Sequence, residues 1–97
     1  MLAALSTFDL RIPGCGSLKE KRHVVKTISA GIRAKFNVSV AEVDHHDLWQ
    51  RTTLGISAAG AQGFHLRKVM HEVERYLARQ PMIDIIDHRL TMHAQDD

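Results

Sequence analysis

Two stretches of this chain carry apolar residues on a helical period, and each is enclosed by stretches where apolar residues alternate singly. That order restricts the fold more than any single motif does. From Leu2 to Ile12, Phe8, Leu10 and Ile12 alternate with Thr7, Asp9 and Arg11, which predicts a strand stopped by Pro13-Gly14. Ser17 to about Lys35 predicts a helix, with Leu18, Val24, Val25, Ile28, Ile32 and Phe36 on one face. Ser17 and Glu20 stand in capping-box spacing at its start, and Asn37 can break its end. Asn37 to Val43 predicts a strand, and DHHDLWQ predicts a polar turn. Thr52 to Ala58 predicts the next strand, with Leu54, Ile56 and Ala58 on one side.

Gly60 and Gly63 bracket a loop, after which a second helix runs to about Gln80. Leu66, Val69, Met70, Val73, Tyr76 and Leu77 share one of its faces, and Pro81 ends it. Ile83 to about Met92 predicts the last strand, and residues 93–97 (HAQDD) predict a frayed tail. The order β-α-β-β-α-β with right-handed crossovers predicts one α+β domain over residues 1–97. Its form is a ferredoxin-like sandwich, with two helices on one face of a four-stranded antiparallel sheet.

Composition supports a folded domain: 44% hydrophobic and 25% charged residues exclude disordered and collagen-like chains. No run of 18 apolar residues is present, so no transmembrane helix is expected, and the N-terminus lacks the pattern of a signal peptide. One cysteine cannot close an internal disulfide, which fits a cytoplasmic protein.

Charge is unevenly placed. The whole chain holds 13 Lys+Arg against 11 Asp+Glu, a net +2. Residues 17–35 hold six basic residues (Lys19, Lys21, Arg22, Lys26, Arg33, Lys35) and one acid, Glu20, or +5, which leaves −3 elsewhere. Lys19, Arg22, Lys26 and Arg33 fall within about 60° of helical arc. Lys19, Lys21 and Arg22 also crowd the helix N-terminus, where the macrodipole disfavours cations and an anion would relieve them. Two readings are open: a solvated basic face, or a surface for phosphate groups. GCGSLK is neither a dinucleotide fingerprint nor a Walker A loop. A weaker stripe on the second helix, Lys68, Arg75 and Arg79, has Glu72 to neutralise part of it.

No complete catalytic constellation is visible, and no cofactor is expected. Asp44, His45, His46 and Asp47 are possible metal ligands by type. Adjacent residues on an extended segment point to opposite sides, however, so a polar turn is the expected reading and no metal site is expected. His65 and His71 are six apart and share no ligand face. Cys15 precedes the basic helix, without a base to activate it, and reads as an exposed thiol. Trp49, beside Arg51, could stack on a base or cover one end of the core. The outer sheet face is expected to carry Leu5, Thr7, Asp9, Arg11, Thr53, Gly55 and Ser57. It has no aromatic platform for stacking bases, and its small residues suit sheet packing in a homodimer.

The segments RIPGCGSLKEKRHVVK, FNVSVAEV and HDLWQRTTLG are similar to the bacterial YlxP-like family of small uncharacterised proteins. The resemblance covers nearly the whole chain. It rests on Ser17, Leu18, Lys19, Glu20, Lys21 and Arg22, then on Asp47, Leu48, Trp49, Gln50 and Arg51. The His-rich turn and the C-terminal HAQDD depart from the family pattern. The resemblance implies a ferredoxin-like fold and brings no catalytic residues. The family's genes often stand beside translation-initiation and ribosome-maturation genes, which implies an RNA or ribosomal context. The expectation is a non-enzymatic, homodimeric domain that binds ribosomal RNA or a ribosome-associated protein. Lys19, Lys21, Arg22, Lys26, Arg33, Arg51 and Trp49 are its candidate contacts. The alternative is a homodimeric assembly domain that uses the outer sheet face.

Overall fold

The computed structural model describes residues 1–96. The elements are β1 (Leu2–Arg11), α1 (Leu18–Lys35), β2 (Ser39–Asp44), β3 (Arg51–Gly60), α2 (Gly63–Ala78) and β4 (Asp84–Ala94). The strands form one antiparallel sheet in the order β2-β3-β1-β4. This is the ferredoxin-like α+β arrangement that the alternation of periods predicts.

Register turns alternation into layers. Phe8 lies opposite Leu54 and Ser6 opposite Ile56, so β1 and β3 turn the same set of residues toward the helices. The helices answer with Ile28 and Ile32 from α1 and Leu66, Met70, Val73 and Leu77 from α2, all buried. Removing such side chains from water stabilises the fold by about 1.5–3 kcal/mol each. The two helices approach closely at Gly31, where an added Cβ would lie 2.1 Å from the Tyr76 hydroxyl. Tyr76 in turn meets the Phe36 ring edge-on, with centroids 6.2 Å apart.

Several boundaries differ from the sequence expectation by one or two residues, and three of them have a visible cause. β2 starts at Ser39 rather than Asn37, because the chain turns first and Val38 N–H bonds to Phe36 O at 3.0 Å. α2 stops at Ala78, where Arg79 N–H reaches back to Tyr76 O at 3.2 Å, two residues before Pro81 needs it to. His93 and Ala94, the first two residues of the tail expected to fray, instead continue β4. His93 pairs with Ala3 and Ala94 with Leu2, and Gln95 N–H bonds to Met1 O at 2.9 Å. The long partner strand β1 supplies these bonds, which the polarity of HAQDD does not reveal. Asp97, the last residue of that tail, lies outside the described residues.

A bulge between Glu42 and Asp44 shifts the β2–β3 register and leaves Val43 over Gly55 on the outer face. A Cβ at Gly55 would sit 2.8 Å from Val43 Cγ1, so glycine is what admits this approach.

Candidate nucleic-acid interface

The start of α1 is closed by its own side chains. Ser17 Oγ accepts from Glu20 N–H at 3.1 Å, and the Glu20 carboxylate accepts from Gly16 N–H at 2.8 Å. The helix N-terminus therefore already holds a carboxylate, at the place where the sequence suggests an external anion. Cys15 is buried rather than exposed, and its thiol donates to Ser17 O at 3.2 Å.

Lys21 is the largest departure from expectation. It is 1% exposed, and its ammonium meets Glu42 Oε2 at 2.8 Å and also donates to the His45 carbonyl. Thr52 donates to the same Glu42 oxygen at 2.5 Å. Burial pushes the Glu42 carboxyl up, but the bonds from Lys21 and Thr52 and the Lys21 charge outweigh it and hold the group below its ordinary range. Lys21 thus bolts α1 to the end of β2 and is not free to meet a phosphate. The signal was present in the sequence: Lys21 precedes Val25, Ile28 and Ile32 at four, seven and eleven residues, on the apolar stripe.

Arg22, Lys26 and Arg33 remain on the exposed side of α1. They line a groove of about 420 Å³ between α1 and the edge strand β2, floored by Val25, Ser29, Val40 and Ala41, with the Lys21–Glu42 pair, His46 and Asp47 also on its walls. Arg33 Nη1 lies 3.4 Å from Val40 O, on this edge strand. Lys19 is also exposed but faces a separate cavity at the β1–α1 turn. Among the described residues, none of these four cations is in an ion pair. On α2 the contrast holds: Arg75 lies 3.8 Å from Glu72.

The β2–β3 turn stands at the same end of the molecule as the start of α1. Ile12 N–H bonds to Gln50 O at 2.9 Å, and the Gln50 side-chain amide donates to Cys15 O at 3.3 Å. This anchored turn presents Trp49, 51% exposed, and Leu48, 49% exposed, to solvent. Trp49 therefore does not cover the core. Arg51 goes elsewhere. It lies on the face of the sheet away from the helices, opposite Arg11, with Nη2 3.4 Å from Asp9. Its Nε is buried without a hydrogen-bond partner among the described residues.

The two histidines of the turn diverge, which the extended spacing anticipates. His46 Nε2 bonds to Glu42 O at 3.2 Å beside the groove. His45, at φ 62° in the left-handed region, sends Nδ1 to Thr53 Oγ1 at 2.9 Å on the outer face. Thr53 donates its one proton to Asp9 at 2.7 Å, so it must accept from His45, which places the imidazole proton on Nδ1. The Thr53 bond is the main cause holding Asp9 below the ordinary carboxylate range. Burial opposes it, and Arg51 and His45 assist it.

One constellation escapes any reading of sequence neighbours. Ser6 Oγ meets His88 Nε2 at 2.9 Å, and His88 Nδ1 meets Glu74 at 2.7 Å. The His88 ring stacks on Phe8 at 3.9 Å. These are the bonds of a hydroxyl–imidazole–carboxylate relay, but Ser6 is 1% exposed and faces the helices. No substrate carbonyl could reach Oγ, so the relay joins β1, β4 and α2 as structure.

Comparison with known proteins adds kinship without chemistry. A family model described as a protein of unknown function (DUF503) matches residues 4–90. The chain is also 41% identical over 69 residues to the uncharacterised protein YlxP of Bacillus subtilis (strain 168). That alignment covers 71% of this chain and 75% of the relative. With most of its length matched in this way, the chain belongs to the DUF503 family.

Proposed function

We propose that the groove between α1 and β2 is a docking surface for the phosphate backbone of RNA, consistent with a role on ribosomal RNA. The observation that carries this reading is the set of exposed cations Arg22, Lys26 and Arg33, which share one groove and have no carboxylate partners among the described residues. Neutralising phosphates releases their counterions, which favours binding and makes it depend steeply on salt. Trp49 and Leu48, at the same end, offer apolar surface for an unstacked base. Among the described residues no aromatic platform lies on the outer face of the sheet, so base recognition plays a minor part and the sequence preference is weak. Filter binding of a single-stranded ribosomal RNA fragment tests the reading. The Arg22→Glu, Lys26→Glu variant is expected to lose retention, whereas Lys68→Glu, Arg79→Glu on α2 is expected to keep it. Equal retention by both variants would refute it.

A second reading has its own observation. Leu5 and Val43 are both exposed on the outer sheet face, where Ala41, Gly55 and Ser57 complete a shallow apolar hollow of about 320 Å³. A second copy of the chain could cover this hollow as a homodimer. Light scattering at twice the 10.9 kDa monomer mass, reverting to the monomer in Leu5→Glu, would support it. A monomer at every concentration would remove it.

A further inference from the structure

A larger cavity, of about 640 Å³, lies between the β1–α1 turn and the α2–β4 turn. Its walls are mostly apolar (Ile12, Pro13, Cys15, Val24, Pro81 and Met82), with Lys19, Glu20 and His23 along one side. Ile12 and Cys15 are buried beneath it, whereas Met82, 39% exposed, forms part of its mouth. The two prolines fix φ in the turns that frame it, and the cavity stands open. Its size falls within the range of small-molecule sites.

The polar groups at this cavity are unequal. Glu20 is turned back onto Gly16 N–H, which it accepts at 2.8 Å. Lys19, four residues before His23 on the same helical face, is exposed and has no ion-pair partner among the described residues. Glu20 keeps its charge at the rim but is held to the Gly16 side, so the unpaired Lys19 ammonium is the group left to meet a negative head while the apolar wall meets an apolar tail.

We propose that this cavity binds a free amphipathic carboxylate, its alkyl chain against Val24, Pro81 and Met82 and its head on Lys19, with His23 beside it. The site is separate from the RNA groove: no residue lines both cavities. Lys19 therefore serves the carboxylate rather than the polyanion.

Decanoate, used below its micelle threshold, is the probe. Titration of the full chain, followed by backbone amide NMR, is expected to give saturable shifts at Ile12, Cys15, Val24 and Met82. Lys19→Ala is expected to weaken binding about tenfold, the loss of one charge-assisted bond, and decanol is expected to bind wild type as weakly as decanoate binds that variant. Met82→Glu, at a partly exposed position that folding tolerates, is expected to abolish binding while leaving the urea midpoint within error. Arg22→Glu, Lys26→Glu is expected to leave decanoate binding unchanged, so this site and the RNA groove fail independently. Absence of saturable shifts at these residues would overturn the proposal. So would equal affinity for decanol and decanoate, or binding to phosphatidylglycerol vesicles without binding of monomeric decanoate.

Discussion

Replacing Glu42 by leucine should unfold this domain more readily than its position on an edge strand suggests. Lys21 is sealed from solvent, whereas the Glu42 side chain keeps 19% of its exposure. Glu42→Leu strands a buried ammonium on the His45 carbonyl alone, a loss of about 3–5 kcal/mol. Lys21→Met leaves a carboxylate that is still partly hydrated and still bonded by Thr52, a loss of about 1–2 kcal/mol. In the double variant the stranded charge is gone but buried Thr52 loses its acceptor, and stability should return to within about 2 kcal/mol of wild type. The double-mutant cycle is therefore strongly non-additive, by at least about 2 kcal/mol. Against a total stability of about 5–15 kcal/mol, Glu42→Leu removes a large fraction. Urea denaturation followed by far-ultraviolet circular dichroism measures all four corners, and a thermal scan should show about 4–8 °C per kcal/mol. If the single effects add to within about 0.5 kcal/mol, Lys21 and Glu42 are not coupled, and Lys21 returns to the list of surface cations.

Other consequences follow from single contacts. Gly31→Ala gains about 1 kcal/mol of helix propensity but drives a methyl into the Tyr76 hydroxyl, an overpacking cost of about 1–3 kcal/mol. Urea titration should show a net loss of about 1 kcal/mol in wild type and a gain in a Tyr76→Phe background. Asp9 and Glu42 are both held below their ordinary carboxylate values, so their contribution is complete above the unfolded-state values near pH 4 and is lost as pH falls further. Acid titration should show stability falling from about pH 4 downward, less steeply in Asp9→Asn. Trp49→Ala should change the urea midpoint by less than about 0.5 kcal/mol, because the ring is half exposed, and should weaken RNA binding by about 1–3 kcal/mol if a base stacks there.

The layers were legible because each depends on short-range periodicity. Leu54, Ile56 and Ala58 against Thr53, Gly55 and Ser57 already state which face of β3 meets the helices. Ser17 and Glu20 state where α1 begins, and their bonds are those the spacing implies. The site is legible only in part, because the placement of charge along the chain does not contain burial. Arg22, Lys26 and Arg33 could be placed from the helical wheel alone. Lys21 could not be assigned a role by charge, since its partner Glu42 is 21 residues away and meets it only once β2 docks on α1. Arg51 shows the same limit: strand parity sends it to the outer face, and Asp9, its partner there, comes from another strand. The Ser6, His88 and Glu74 relay spans 82 residues and leaves no local trace.

The salt dependence of RNA binding tests the central claim most directly. The association constant of a single-stranded ribosomal RNA fragment should be measured from about 50 to 200 mM salt for wild type and for the Arg22→Ala, Lys26→Ala, Arg33→Ala variant. Each phosphate contact on single-stranded nucleic acid contributes about −0.7 to the slope of log K against log salt. Loss of three contacts should flatten that slope by about two units and lower affinity at the low-salt end. Identical slopes in the two proteins, or no binding by wild type at 50 mM salt, would contradict the assignment of this groove to RNA.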